Sequence, residues 1–328
     1  MIQASNLVAQ PHFDGHRYFN PFPTFKNRNA WDVAKWLLWD HIRAKRQKGH
    51  TDTFQWEEGQ HDPSWLSRNR KQFSVTWIGH STLLIQMQGL NILTDPIFSK
   101  RASPFSFIGP RRLVPPGLAF DDLPPIDLVI ISHDHYDHLD KRTIKRLGNK
   151  PFYVVPLGVG AILRSWGIHH FREMDWWDKI EFNGLEIICT PAQHFSGRSP
   201  FRQNSTLWAS WLLKSRTLSF YFGGDTGYFP GFEGIAQVYG PIDFAALPIG
   251  AYAPRWFMKA VHLDPEDALK AFKDLQAAIL IPIHWGTFDL ADEAPTQPLE
   301  VLKQKARMQG LSDRIWFFKY GESKTQRY

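Results

Sequence analysis

The eight residues 133–140 constrain this chain more than any other stretch, because they combine three histidines with three aspartates. The run directly before them, residues 126–131, is mostly apolar and rich in β-branched side chains, which is typical of a buried strand. The polar cluster therefore lies on the loop that leaves the C-terminal end of a strand, a rigid mount for chemistry. Alternation lets His133 and His135 point the same way, and the ligand-type residues that follow them turn toward a neighbouring position. This spacing favours two metal ions over one.

Three further residues of ligand type each follow a strand-like run elsewhere in the chain. They are His194 after residues 185–189, Asp225 after residues 218–222 and His284 after residues 278–283. Imidazole and carboxylate groups are side chains that zinc and other transition metals bind in proteins. A lone histidine would more often be structural, but four strand ends that each carry such residues predict a metal site.

The composition indicates a soluble globular protein, since 43% of the 328 residues are hydrophobic and 21% are charged. No apolar run is long enough to span a bilayer. The N-terminus lacks the charged start and apolar core of a signal peptide, so none is expected. Cys189 is the single cysteine, which excludes an internal disulfide and fits a reducing compartment. We therefore expect a cytoplasmic protein, with the option of peripheral contact at the inner membrane face.

The formal net charge of +6 favours an anionic partner, such as a phosphate ester or an acidic membrane surface. The basic residues are spread along the chain rather than grouped in blocks, so no nucleic-acid partner is expected. The 14 Trp and 25 Phe residues suggest an apolar groove or an interfacial contact in addition to the core.

Residues 1–30 show no periodicity and are predicted to form an extended arm that lies on the body of the protein. Residues 31–48 place apolar side chains at helical spacing among several Lys and Arg residues. A basic amphipathic helix with tryptophans can lie in a membrane interface, but packing on its own domain is the favoured interpretation.

From residue 73 onward, the pattern predicts strands and then helices, and this order occurs twice. Strands are predicted at 73–78, 82–88, 90–94, 126–131, 152–155, 179–182, 185–189, 208–214, 218–222, 244–247, 278–283 and 315–318, with helices at 140–146, 158–166, 264–275 and 297–309. Such an order favours two sheets packed face to face with helices outside, an α/β fold.

The order of the ligand-type residues resembles the metal motif of the metallo-β-lactamase superfamily. Several stretches further resemble the narrower family of N-acyl-phosphatidylethanolamine-hydrolysing phospholipases D: residues 77–82 (WIGHST), 94–98 (TDPIF), 109–112 (GPRR), 191–198 (PAQHFSGR) and 247–259 (LPIGAYAPRWFMK). The resemblance extends over about residues 15–320. It implies a four-layer αββα sandwich in residues 61–328, with residues 1–60 as an N-terminal arm and amphipathic helix packed on it.

The resemblance also implies two zinc ions and assigns their ligands. His133, His135 and His194 would hold the first ion, Asp137, His138 and His284 would hold the second, and Asp225 would bridge them beside a hydroxide. The same ligands accept iron or manganese, so neither is excluded. The implied reaction is attack of the metal-bridging hydroxide on phosphorus of N-acyl-phosphatidylethanolamine, which yields N-acylethanolamine and phosphatidate.

Several further residues are candidates for a role beside the metals. Asp225, Asp137 and His262 are the catalytic candidates, with His262 either a general acid for the leaving oxygen or a surface residue. His80 and Asp95 either orient the histidines or satisfy buried backbone groups.

The substrate candidates lie on the metal loop and on residues 252–256. They are Tyr136, Tyr252, Arg255 and Trp256. The Arg255 guanidinium either meets a phosphate oxygen or forms a structural salt bridge. Aromatic residues that form either an acyl-chain wall or core are Phe195, Trp208, Trp211, Trp256 and Phe257.

Two other functions compete with a phospholipase D. The first is another hydrolase of the same fold that acts on a different phosphodiester or on a lactone, since one fold hosts many chemistries. The second is a non-catalytic protein that binds membrane surfaces through helix 31–48. A phospholipid is the expected partner, and a homodimer is an open option.

Overall fold

The computed structural model describes residues 11–22, 56–199 and 202–326, and two β-sheets form its centre. The strands of the first sheet are β1 Ser74–Gly79, β2 Thr82–Met87, β3 Leu90–Thr94, β4 Leu128–Ile130, β5 Phe152–Pro156, β6 Phe171–Met174 and β13 Ser323–Thr325. Those of the second sheet are β7 Lys179–Phe182, β8 Leu185–Thr190, β9 Ser210–Lys214, β10 Ser219–Phe222, β11 Ile242–Pro248 and β12 Ala277–Ile283. The spatial orders are β13-β1-β2-β3-β4-β5-β6 and β12-β11-β10-β9-β8-β7.

The strand directions bring the carboxyl ends of many strands to one edge of each sheet. In the first sheet β1, β2 and β3 are antiparallel neighbours, whereas β3 to β6 run parallel. In the second sheet β7 to β10 alternate in direction, whereas β10, β11 and β12 run parallel. Because alternate antiparallel strands share a direction, β1, β3 and β4 end at one edge, as do β8, β10 and β12. The ligand-type residues follow these six ends.

Helices cover the outer faces of both sheets. Their bounds are α1 Pro63–Arg68, α2 Lys141–Leu147, α3 Val159–Ser165, α4 Gly231–Tyr239, α5 Arg255–Met258, α6 Pro265–Asp274 and α7 Gln297–Met308. Apolar residues of α2 and α3 pack on one side of the first sheet, and α6 packs on β11 and β12 of the second. Within β4, Leu128 and Ile130 join the core between the sheets, whereas Val129 joins the outer core. The predicted αββα sandwich is confirmed.

The prediction of a strand at residues 315–318 is wrong. Ile315 forms a single bridge with Leu280, and the ring of Trp316 packs 4.9 Å from that of Phe244. The apolar side chains of this run therefore cover the second sheet without continuing its hydrogen-bond ladder. The pattern also left five elements undetected, namely β6, β13, α1, α4 and α5.

The described part of the N-terminal arm, residues 11–22, lies on the body of the protein. The His12 ring stacks 4.3 Å from Trp176, and the Asn20 side-chain amide donates to the His194 carbonyl at 2.7 Å. The predicted helix 31–48 lies outside the described residues, and the division at residue 60 stays a prediction. Among the helices that the structure describes, none has the length and apolar character needed to cross a bilayer.

Candidate metal centre

Six strand ends deliver polar side chains to one buried cluster between the sheet edges. These side chains are His80 after β1, Asp95 after β3, residues 133–138 after β4, His194 after β8, Asp225 after β10 and His284 after β12. The structure therefore brings together all seven residues that the resemblance assigns to metal. It adds His80, which lies beside them.

Three imidazoles, which we call the imidazole group, face one another in the first half of the cluster. His133 Nε2 lies 2.8 Å from His135 Nδ1, and His194 Nε2 lies 3.3 Å from the same nitrogen. Burial lowers the pKa of His133 and of His194 well below the usual value for histidine. Both rings are therefore neutral and can offer lone pairs to a cation.

A second set, which we call the carboxylate group, consists of His80, Asp137, His138 and His284. Asp137 Oδ2 lies 3.0 Å from His80 Nε2, 3.3 Å from His138 Nε2 and 3.5 Å from His284 Nε2. Burial disfavours protonated His138, but neighbouring carboxylates outweigh burial and raise its pKa well above the usual value. The same balance, with Asp225 as the main carboxylate, raises the pKa of His284 to about 9.

Asp225 lies between the two groups. Its Oδ2 is 3.1 Å from His284 Nε2 and 3.2 Å from His138 Nε2, and it is 3.8 Å from His194 Nε2. Burial alone would raise the pKa of Asp225, but His138 and His284 hold it well below the usual value. The carboxylate is therefore ionised and in reach of both groups.

The polar atoms of this cluster fit metal ions better than they fit one another. Among the described residues, Asp225 Oδ1 has no hydrogen-bond partner, and the Nε2 atoms of His138 and His284 lie near carboxylate oxygens without hydrogen-bond geometry, although buried polar atoms are normally satisfied. In the imidazole group, three ring nitrogens face one another, and neutral rings have too few N–H protons to link all of them by hydrogen bonds. Cations would satisfy these atoms, and imidazole with carboxylate is a donor set for zinc or another transition metal.

Hydrogen bonds behind the cluster fix which nitrogen of each ring faces it. Asp95 Oδ2 lies 2.7 Å from His138 Nδ1, and the Val261 carbonyl lies 2.9 Å from His194 Nδ1. With these acceptors on Nδ1, the Nε2 atoms of both rings face the cluster. Of the two alternatives for Asp95, the structure shows the orienting one, whereas His80 contacts Asp137 inside the carboxylate group.

The backbone at three of these strand ends adopts the left-handed region that non-glycine residues rarely enter. The φ angle is 54° at His80, 35° at Asp95 and 60° at His284. The His284 N–H donates to the His80 carbonyl at 3.0 Å, and the Asp95 N–H donates to the Ile130 carbonyl at 2.9 Å. These bonds hold strained turns that direct the side chains into the cluster.

Three buried tryptophans tie the ligand-bearing segments to the core. The indole N–H groups of Trp77, Trp208 and Trp211 donate to the carbonyls of His80, Ala192 and Ile131 at 2.9, 3.0 and 2.9 Å. Trp208 and Trp211 are therefore core residues, not acyl-chain walls. The sequence carried a sign of this core role, because each tryptophan lies in or next to a predicted strand.

Two acidic residues of the metal loop have roles outside the cluster. Asp134 accepts a hydrogen bond from the Gly197 N–H at 2.7 Å. Asp140 caps α2 and accepts from the Thr143 hydroxyl at 2.6 Å. Asp140 is therefore the N-cap of α2 and not part of the cluster.

The prediction that the Arg255 guanidinium contacts phosphate requires correction. Its Nε lies 3.0 Å from Asp264 Oδ2, its Nη2 pairs with Asp267, and its Nη1 donates to the His262 carbonyl at 2.9 Å. All three guanidinium nitrogens thus have partners, since the acidic start of α6 lies beside them. The structural salt bridge is the observed alternative.

The other candidates lie at different distances from the cluster. His262 Nδ1 is 3.9 Å from Asp225 Oδ2, so this ring belongs to the site. Tyr136 donates its hydroxyl to the Arg198 carbonyl at 2.9 Å. Tyr252 is buried and Trp256 is 49% exposed, and their substrate roles stay predictions.

Known proteins resemble this chain in sequence and in fold. A family profile described as "Beta-lactamase superfamily domain" matches residues 90–285. N-acyl-phosphatidylethanolamine-hydrolyzing phospholipase D 1 of Caenorhabditis elegans is 41% identical over 70% of this chain and 68% of its own length. An uncharacterized protein of Mycobacterium tuberculosis is 45% identical over 73% of this chain and 66% of its own length. The chain thus spans about two thirds of these relatives.

A solved structure shows the same fold at low sequence identity. It is that of a possible metal-dependent hydrolase from Veillonella parvula, with a TM-score of 0.66 and 18% identity. The alignment covers 78% of this chain and 100% of that one.

Proposed function

This chain belongs to the β-lactamase superfamily, and we propose that it is a metal-dependent phosphodiesterase of the phospholipase D type. The proposed substrate is N-acyl-phosphatidylethanolamine, and the products are N-acylethanolamine and phosphatidate. The observation that carries the proposal is the position of Asp225 Oδ2, within 3.8 Å of imidazoles from both ligand groups. The similarity to the Caenorhabditis elegans phospholipase supports the choice of substrate.

The imidazole group would hold one zinc ion, Asp137, His138 and His284 would hold another, and Asp225 lies within reach of both groups. Bound zinc ions supply Lewis acidity toward phosphoryl oxygens and a water that is deprotonated near neutral pH. Iron or manganese would suit the same donors, and elemental analysis distinguishes the three.

The protein's own contribution is to fix these donors before substrate arrives. Asp95 and the Val261 carbonyl set the ring orientation of His138 and His194. The side chains of the cluster are buried, so electrostatic interactions with a phosphodiester are stronger there than in water. His80 adds a contact to Asp137 that limits its rotation.

We assign to His262 the role of general acid, which donates a proton to the oxygen of the departing N-acylethanolamine. Its ring lies 5.1 Å from that of His194 and 5.6 Å from that of His284, so it borders both ligand groups. The Arg255 guanidinium holds the His262 carbonyl and is itself held by two aspartates. Arg255 is thus a positioning residue for the proposed general acid.

The decisive experiment combines elemental analysis with a hydrolysis panel on the purified protein. The panel contains N-acyl-phosphatidylethanolamine, phosphatidylcholine, a soluble diester and an acyl lactone. Metal-dependent release of N-acylethanolamine and phosphatidate is expected, and it should vanish in Asp225→Asn but persist in the exposed control Asp121→Asn.

Other outcomes would assign the chain differently. Turnover of the lactone with no diester cleaved would favour another hydrolase of the superfamily. Binding to liposomes that survives metal removal, without hydrolysis of any compound, would favour a binding protein. The cytoplasmic location, the homodimer and membrane contact through residues 31–48 stay predictions.

A further inference from the structure

The loop between β3 and β4 exposes a cluster of large apolar side chains. Phe105, Phe107 and Ile108 are 54%, 77% and 58% exposed, and the two phenylalanine rings lie 5.7 Å apart. Adjacent exposed apolar side chains in one loop are a signature of an interaction surface.

A basic cavity lies between this loop and helix α2. Its volume is about 310 Å³, and its lining includes Lys100, Arg101, Arg142 and Arg146. Arg101 donates to the Gly109 carbonyl and so holds the loop, and Arg146 pairs with Asp121. Among the described residues, Lys100 and Arg142 form no ion pair. The cavity is thus large enough for a small ligand and strongly positive.

A second cavity lies between the basic cavity and the metal loop. This second cavity, of about 280 Å³, shares Ser103 and Arg142 with the first. It is also lined by Tyr136, Lys141 and Arg198, and Tyr136 lies within the ligand loop. Basic side chains, with Asp140 among them, therefore line the surface from the exposed apolar loop to Tyr136 of the metal loop.

We propose that this face, formed by residues 99–108 and the basic side of α2, docks on an anionic phospholipid bilayer. Phe105, Phe107 and Ile108 enter the boundary between headgroups and acyl chains, where aromatic side chains are favoured. The basic cavity takes the phosphate of a lipid that is not the substrate, because guanidinium groups match phosphate oxygens.

An anionic bilayer fits this face better than an acidic protein does. Insertion of a few aromatic and aliphatic side chains beside a ring of cations combines the two contributions that hold proteins at lipid surfaces. Docking here would place the metal loop one cavity away from the membrane. The inference therefore rests on the proposed function, since a lipid substrate has to be drawn from that surface.

Vesicle cosedimentation tests the proposal. The protein is mixed with vesicles of phosphatidylcholine alone or with added phosphatidylglycerol, and we expect tighter binding to the anionic vesicles, weakened by salt. In the double variant Lys100→Gln/Arg142→Gln, each lost cation should weaken partition about fivefold, which corresponds to ~1 kcal/mol per basic residue at an anionic surface. Phe105→Ser/Phe107→Ser should weaken binding to both kinds of vesicle.

A matched control makes the same kinds of change on the opposite face of the sandwich. Arg307 and Met308 are exposed on α7, so Arg307→Gln/Met308→Ser should bind vesicles as the unaltered protein does. Equal vesicle binding by the loop variants and this control would overturn the proposal. Displacement by inorganic phosphate at matched ionic strength would reassign the cavity to free phosphate.

Turnover of the soluble diester bis(p-nitrophenyl) phosphate separates this inference from the proposed function. The loop variants should hydrolyse this compound at the unaltered rate, because Lys100, Arg142, Phe105 and Phe107 lie outside the metal centre. Lost vesicle binding with retained turnover supports the docking surface. If the unaltered protein binds anionic vesicles but cleaves no diester, the proposed phosphodiesterase fails and the docking surface stands.

Discussion

The imidazole group and the carboxylate group lie side by side but differ in how they could hold a cation. In the imidazole group, burial keeps His133 and His194 neutral, so their donors are lone pairs. In the carboxylate group, Asp137 and the shared Asp225 supply negative charge and raise the pKa of His138. The first group is organised by burial and ring orientation, the second by charge. Variants that affect one group but not the other would test this contrast.

The largest effect is expected from Asp225→Asn, because this carboxylate serves both groups at once. Metal content and phosphodiester turnover should fall together, by more than the roughly 10–100-fold typical when an outer partner is removed. Elemental analysis and kcat/KM measure the two losses. A variant that retains both metals and full turnover would refute the assignment of Asp225.

The next effect is expected from Asp95→Asn, which should weaken the carboxylate group more than the imidazole group, because Asp95 contacts His138 directly and His133 only through the Ser132 hydroxyl. The amide can place an N–H where His138 Nδ1 needs an acceptor, so the ring no longer has a fixed orientation. We expect metal affinity at this group to fall about 10–100-fold, with the imidazole group less affected. Titration of the metal-free protein with zinc measures both affinities.

Asp140→Asn is the matched control for Asp95→Asn, because Asp140 caps α2 and touches no ligand imidazole in the described structure. It should lower stability without changing zinc affinity. Equal losses of affinity in both groups on Asp95→Asn would erase the contrast between them.

A smaller effect is expected from Arg255→Met, which acts on the proposed general acid and on neither ligand group. The guanidinium holds the His262 carbonyl, so its loss should misplace the proposed general acid. We expect kcat to fall about 100-fold or less, since general acids contribute about 10²–10⁴-fold, while metal content and KM stay nearly constant. Arg307→Met is the control and should leave kcat unchanged. If kcat is also unchanged in Arg255→Met, Arg255 has no role in the mechanism.

The smallest effect on activity is expected from the pair Trp208→Phe and Trp77→Phe. Trp208→Phe deletes the indole N–H that pairs with the buried Ala192 carbonyl, which costs about 1–3 kcal/mol of stability. Trp77→Phe deletes one of two donors to the His80 carbonyl, which keeps the His284 N–H, so its cost should be smaller. Trp208→Phe should loosen the segment that leads to His194, and Trp77→Phe the one at His80. Denaturant unfolding measures the free energy of unfolding of each variant with zinc and with a chelator. The same dependence on zinc in both variants would contradict the proposed difference between the two groups.

The proximity of the candidate ligands was predictable because each follows a strand of recognisable pattern. His194, Asp225 and His284 are far apart in sequence, yet strand direction alone brings such ends to one edge. The role of Arg255 was not predictable, since its ion pairs depend on where α6 begins relative to α5. The role of His80 was left open for a similar reason. Its contact with Asp137 depends on how the end of β1 lies relative to the loop after β4.

Secondary structure failed where tertiary contacts decide it. The run 315–318 has the composition of a strand, but only Ile315 forms a bridge. Helix α4 starts with glycine and phenylalanine, which give little local preference for a helix, and its burial against the second sheet stabilises it.

The left-handed backbone at His80, Asp95 and His284 has a consequence for protein engineering. Such conformations cost of order 1–3 kcal/mol each, and glycine would relieve that cost at any of the three positions. Stability-guided selection would therefore favour glycine where the cluster needs an imidazole or a carboxylate. These three positions are where a thermostable variant would exchange activity for stability, and they should be held fixed in any such selection.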